Sequence, residues 1–133
     1  MNPVFADTYY FPALLHKGDA AHAQAVALAE KITQPILTTT WVLTEVGDAL
    51  SAPGLRPRFV ELVETLRADP ACTIVPPSAA LFDAGVALYS ERPDKSWTLT
   101  DCISFVVMQK YGLTEALTGD RHFEQAGFAA LLV

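Results

Sequence analysis

The sequence predicts an α/β fold, a short, largely parallel sheet with helices on both faces. Five short runs alternate with helical stretches along the whole chain, and that alternation is the signature of a parallel sheet. The runs are mostly apolar, as strands covered on both faces are. The breaks between elements are short, at Gln34-Pro35, Pro53-Gly54, Pro76-Pro77 and Arg92-Pro93, with no linker, internal repeat or low-complexity segment. The 133 residues therefore read as one domain, 1–133.

The elements follow in order. Pro3 to Ala6 is the first strand, followed by helices from Thr8 to His16 and from Asp19 to Ile32. The second of these carries Ala25, Leu28, Ala29 and Ile32 at helical spacing. Pro35 to Thr38 is the second strand, and helices over Thr40 to Ala52 and Arg58 to Ala68 come next. Cys72 to Val75 is the third strand, before helices over Ala79 to Glu91 and Thr100 to Tyr111. Glu115 to Thr118 is the fourth strand, Arg121 to Gln125 a short helix, and Ala129 to Leu132 the last strand.

Composition narrows the function classes. With 51% hydrophobic and 18% charged residues, the chain has ample material for a core and is unlike a disordered segment. No stretch reaches the ~18 apolar residues of a membrane span; the apolar opening is interrupted by Asp7 and Pro12. No basic residue precedes Asp7, which argues against a signal peptide. Cys72 and Cys102 have neither a second pair nor CxxC spacing, so neither a disulfide framework nor a zinc site is expected, and a reducing cytoplasm fits. Nine basic against fifteen acidic residues give a net charge of −6, the wrong sign for a broad basic nucleic-acid face. Two bound divalent cations would change −6 to −2, so the placement of the acids decides.

In parallel sheets ligands gather outside the carboxyl ends of the strands. Asp7 follows the VFA strand, and Asp120 follows the ALTG turn. Glu45 lies on the Thr40 helix beside the stripe of Val42, Val46, Ala49 and Leu50. Asp101 falls between the directions of Phe105 and Met108, in the inward sector of its helix. An unpaired carboxylate there would cost several kcal/mol unless it met a partner or a metal. Each acid has a structural alternative. Asp7 and Asp120 are placed to cap helices, Asp101 completes a capping box with Thr98, and Glu45 fits a solvated boundary. The coincidence of four such acids, with no equally placed Lys or Arg, favours a shared site.

The segments VFADTYY, TTTWVLTEVGDAL, DKSWTLTDCISFVVM and TGDRHFEQAGF resemble the successive motifs of PIN-domain ribonucleases, in particular the small VapC-type toxins of toxin–antitoxin pairs. The resemblance spans nearly the whole chain, with the LTD and TGDRHF segments about twenty residues apart. The family's four acids fall on Asp7, Glu45, Asp101 and Asp120. The resemblance implies a PIN-like three-layer sandwich with a five-stranded, mostly parallel sheet, Mg²⁺ or Mn²⁺ in an acidic cleft, and endonucleolytic cleavage of RNA. It also implies a cognate antitoxin and, with the apolar surplus, a homodimer.

The chemistry of the residues agrees. Oxygen-only ligands select hard cations, and clustered carboxylates are tolerated when a cation offsets their repulsion. Asp7, Asp101 and Asp120 would hold one or two ions, while Glu45 would serve as a ligand or orient the attacking water. Thr8 and Thr118 read first as turn or cap residues, with bonding to the carboxylates as the alternative. Arg92, Lys95, Lys110, Arg121 and His122 are candidates for gripping phosphate, and Trp97 or Tyr9 for stacking on a base. Packing is preferred for Trp97 and a solvated face for Lys110. His16, His22 and His122 show no metal-ligand spacing, and Asp48 and Asp94 read as structural. Tyr9, Tyr10 and Phe11 are expected to pack the first helix or a dimer surface. A haloacid-dehalogenase-type phosphatase would want an Asp where Tyr9 stands, and a receiver domain an Asp where Val75-Pro76-Pro77 stands. The remaining alternative is a PIN-like module that binds RNA or protein without cutting.

Overall fold

The computed structural model describes residues 2–133. Its centre is β1 (Val4–Ala6), a strand with every residue buried, as its unbroken apolar run requires. Parallel strands β2 (Ile36–Thr39) and β3 (Cys72–Val75) extend the sheet to one side. Parallel strands β4 (Glu115–Leu117) and β5 (Ala129–Ala130) extend it to the other. The order is therefore β3-β2-β1-β4-β5, parallel throughout. Phe5 is registered with Leu37 on one side and with Ala116 on the other. The order reverses between β1 and β4, and such a switch point opens a crevice beyond the carboxyl ends of the two strands.

Seven helices flank the sheet among the described residues: α1 (Tyr10–Leu15), α2 (His22–Lys31), α3 (Thr40–Ala49), α4 (Arg56–Ala68), α5 (Ala79–Glu91), α6 (Leu99–Lys110) and α7 (Arg121–Gln125). The five strands and seven helices expected from sequence are all present, with ends shifted by local bonds. The first helix starts at Tyr10 rather than Thr8 because Asp7 to Tyr10 forms a turn closed by the Tyr10 N–H on the Asp7 carbonyl. The second starts at His22 because the Asp19 side chain accepts the Ala21 N–H at 2.8 Å and holds a preceding turn. The third ends at Ala49, before the Ser51 to Leu55 connection. None of the described helices is long and apolar enough to cross a membrane.

The core is built around Phe105, whose ring meets Trp97 at 5.0 Å, Phe123 at 4.9 Å and Phe128 at 5.8 Å. This cluster anchors α6 and α7, the helices that begin beside Asp101 and Asp120. Helices α5 and α6 approach closely at Gly85, where an added Cβ would lie 2.3 Å from Ile103 Cγ1. Threonine caps fix two further helix starts. Thr39 accepts the Val42 N–H at the head of α3, and Thr98 accepts the Asp101 N–H at the head of α6. Tyr10 and Phe11 pack the core as expected, whereas Tyr9 remains 40% exposed.

Candidate active site

Asp7 stands at the carboxyl end of β1 and is 4% exposed. Thr118, just past β4, donates its hydroxyl to Asp7 Oδ2 at 2.8 Å. Burial lifts the Asp7 pKa to about 7; the Thr118 bond opposes that rise and the nearby Asp101 charge adds to it. Asp7 does not cap α1, because Tyr9 holds the cap position without a side-chain bond.

Asp101, on the first turn of α6, resolves two readings that the sequence set against each other. The capping box is present: the Thr98 N–H donates to Asp101 Oδ2 at 3.1 Å and the Asp101 N–H to Thr98 Oγ1 at 3.0 Å. The carboxylate is nevertheless joined to Asp120 through His122, whose Nδ1 lies 2.9 Å from the same oxygen and 3.4 Å from Asp120 Oδ1. Burial raises the Asp101 pKa, the His122 and Thr98 bonds oppose the rise, and the Asp120 charge adds to it. Capping engages one carboxylate oxygen and leaves Oδ1 for other work.

Asp120 likewise combines two roles. It caps α7 by accepting the His122 N–H on Oδ1 at 2.8 Å, and its own N–H donates to Thr118 Oγ1 at 3.0 Å. Thr118 thus joins Asp7 to Asp120. Glu45, half-buried on α3, accepts the Thr8 hydroxyl on Oε1 at 2.7 Å, which ties it to the residue after Asp7. Thr118 and His122 together join Asp7, Asp120 and Asp101, whereas Glu45 bonds none of these acids and is tied only to Thr8, next to Asp7 in the chain. Among the described residues none of the four forms an ion pair with Lys or Arg. Asp101, Asp120 and His122 each bring one donor atom within 4.8 Å of the other two.

Several expectations change. Thr8 and Thr118 are not simple turn residues but hydroxyl donors to Glu45 and Asp7. His122 is not a free phosphate-gripping base, since Nδ1 is engaged by two carboxylates. Arg121 turns outward to Glu124 at 3.1 Å, and Arg92 forks onto Asp94 while lying over the Trp97 ring. Trp97 is packed, with Nε1 donating to Gln125, and so cannot stack on a base. Tyr9 covers Gly119, where a Cβ would lie 2.4 Å from its Cζ, and so fronts the turn that leads to Asp120. Lys110, Asp48 and Asp94 are exposed, in line with their structural reading. A cleft of about 930 Å³ between α3 and α4, lined by Leu43, Phe59 and Val63 among others, contains none of the four acids.

Comparison with known proteins agrees with this geometry. Residues 4–129 match the PIN domain family. The chain is 27% identical over 135 residues to the 23S rRNA-specific endonuclease VapC20 of Mycobacterium tuberculosis, in strains CDC 1551 / Oshkosh and ATCC 25618 / H37Rv alike, covering 94% of this chain and 95% of the relative. The crystal structure of M. tuberculosis VapC20, described as a Sarcin-Ricin loop cleaving toxin, superposes with a TM-score of 0.85 at 26% identity, over 94% of this chain and 95% of that one. FitAcB from Neisseria gonorrhoeae shares the fold, with a TM-score of 0.65 at 16% identity over 96% of this chain and 94% of that one. With its parallel five-stranded sheet, its acids at the switch point and a family match over almost its full length, the chain belongs to the PIN domain family.

Proposed function

We propose that this chain, acting as one domain over 1–133, is a metal-dependent endoribonuclease and the toxin of a type II toxin–antitoxin pair. Asp7, Glu45, Asp101 and Asp120 would hold one or two Mg²⁺ or Mn²⁺ ions. The observation that supports the reading is three carboxylates, Asp7, Asp101 and Asp120, joined through Thr118 and His122, with Glu45 held by the neighbouring Thr8 and no ion pair to Lys or Arg among the described residues. The donor set fits a hard divalent cation: every acid is an oxygen ligand, and each has an oxygen held in place by a protein donor. Burial is the main cause of the high Asp7 pKa, about 7, and the nearby Asp101 charge adds to it.

A bound cation supplies a more acidic water and offsets negative charge on the scissile phosphate. The chain's own residues supply orientation. Thr118 fixes Asp7, Thr98 and His122 fix Asp101, and the α7 backbone fixes Asp120. Glu45, steadied by Thr8, is placed to accept a hydrogen bond from the attacking water and so direct it at phosphorus. Water oxygen bonds to phosphorus as the bond to the leaving ribose oxygen breaks, the attacking water's proton passing to solvent and the leaving oxygen taking one up from it, and no covalent enzyme intermediate is required.

VapC20 is named for 23S rRNA, so ribosomal RNA is the first substrate to test. Intact ribosomes and total RNA, incubated with Mn²⁺ or Mg²⁺ and then with EDTA, give the decisive contrast: discrete cleavage with metal supports the reading, and equal cutting in EDTA removes it. In this reading the protein acts in the cytoplasm, restrained by a cognate antitoxin and as a homodimer. Phe82, Val86 and Tyr89, exposed along one face of α5, offer an apolar surface for the second copy. Light scattering should show a dimer at tens of micromolar, and a monomer would count against it.

A further inference from the structure

We propose that His122 is a positioning residue whose Nδ1 clamps the Asp101 carboxylate into the site. The inference rests on the metal-site reading above. Both groups facing Nδ1 are carboxylate oxygens, Asp101 Oδ2 at 2.9 Å and Asp120 Oδ1 at 3.4 Å, so Nδ1 carries a hydrogen and donates. As a donor, Nδ1 has no lone pair for a cation, so coordination by His122 would have to come through Nε2, which the nitrogen readout below tests. The oxygens it meets are also those already engaged by backbone: Thr98 N–H on Asp101 Oδ2 and His122 N–H on Asp120 Oδ1. His122 therefore meets one oxygen of each carboxylate, the same oxygen that the backbone already holds. Histidine and carboxylate partners of this kind fix the orientation of metal ligands.

The two carboxylates depend on His122 unequally. Each keeps a backbone donor when the ring goes, but Nδ1 lies 2.9 Å from Asp101 Oδ2 and 3.4 Å from Asp120 Oδ1, so the stronger bond is the one to Asp101. Asp101 loses one of its two donors to Oδ2 when the imidazole goes. The effect of removing the ring should therefore be routed through Asp101.

Calorimetric titration with Mn²⁺ and with Mg²⁺ tests this on wild type, His122→Ala, His122→Asn, Asp101→Asn and the double variant His122→Ala/Asp101→Asn. His122→Ala should weaken both cations about equally, by roughly 10–100-fold. His122→Asn, whose amide can donate from near the Nδ1 position, should restore most of the affinity. In the Asp101→Asn background, His122→Ala should have little further effect. Pulsed EPR of the wild-type Mn²⁺ complex should show no directly bonded nitrogen. Nitrogen coupling, or a loss much larger for Mn²⁺ than for Mg²⁺, would make His122 a ligand and overturn the clamp. Unchanged affinity in His122→Ala would overturn it too while leaving the metal site standing, whereas a wild type that binds neither cation would remove both readings. Melting in EDTA confirms that each variant is folded.

Discussion

Replacing Asp7 by Asn in the metal-free protein should reverse part of the pH dependence of stability. The Asp7 pKa rises from 3.8 to about 7 on folding. Between these values the folded state holds a proton that the unfolded chain has released, so ν_U − ν_N is negative and stability falls as pH rises. The contribution is full below about pH 4 and lost as pH passes through 7. About three pH units at 1.36 kcal/mol each amount to about 4 kcal/mol. Asp7→Asn cannot titrate, yet its amide oxygen can still accept the Thr118 hydroxyl. Urea unfolding in EDTA at half-unit steps from pH 4 to 8 gives both curves. The wild-type-minus-variant difference isolates Asp7 from Asp101, which is also raised by burial and contributes a slope of the same sign. That difference should shift by about 4 kcal/mol across the range, in favour of the variant at pH 8. Parallel curves would refute the claim that Asp7 is buried among uncompensated negative charge.

Three further outcomes follow from the geometry. Mn²⁺ at ~100 times its dissociation constant should stabilise the wild type by about 2.7 kcal/mol, and Asp101→Asn should lose most of that gain in thermal melts, while in EDTA it should cost no more than the roughly 0.5–2 kcal/mol of a weakened cap. Thr118→Val should lower RNA cleavage at saturating Mn²⁺ by roughly 10–100-fold, because Asp7 loses its only side-chain donor among the described residues; unchanged turnover would count against that role. Gly85→Ala should cost about 1–3 kcal/mol in urea unfolding, since its Cβ would meet Ile103 Cγ1 at 2.3 Å between α5 and α6.

Much of the architecture is legible because the strands are short apolar runs and the helices have local signals. Thr98 and Asp101 announce a capping box three residues apart, and Ser78 caps α5 where the sequence places its start. The acids are legible for a related reason: Asp7 and Asp120 follow strand-forming runs, and strand ends are where a parallel sheet presents its ligands. The partnerships between them are not legible. Thr118 reaches Asp7 across 111 positions, and Thr8 reaches Glu45 across 37. A threonine beside an acid in sequence reads as a turn former; only the parallel pairing of β1 with β4 turns Thr118 toward the end of the neighbouring strand. His122 escaped for a different reason. It has no metal-ligand spacing, and the one local signal of its contact with the acids is its position two residues after a helix-capping Asp. Asp101 shows that two local readings need not compete, since a carboxylate has two oxygens.

Cleavage of ribosomal RNA by Asp7→Ala, Asp101→Ala and Asp120→Ala, against wild type and Asp94→Ala, bears most directly on the claim that the linked carboxylates are the catalytic centre. Asp94 is exposed and paired with Arg92, so its variant controls for the loss of an acid as such. With Mn²⁺ present, each of the three site variants should cut at least ~100-fold more slowly, a loss of about 2.7 kcal/mol of transition-state stabilisation, while Asp94→Ala keeps wild-type rates and EDTA abolishes cutting in all. Site variants that cut as fast as wild type, or an Asp94→Ala as damaged as Asp101→Ala, would contradict the account.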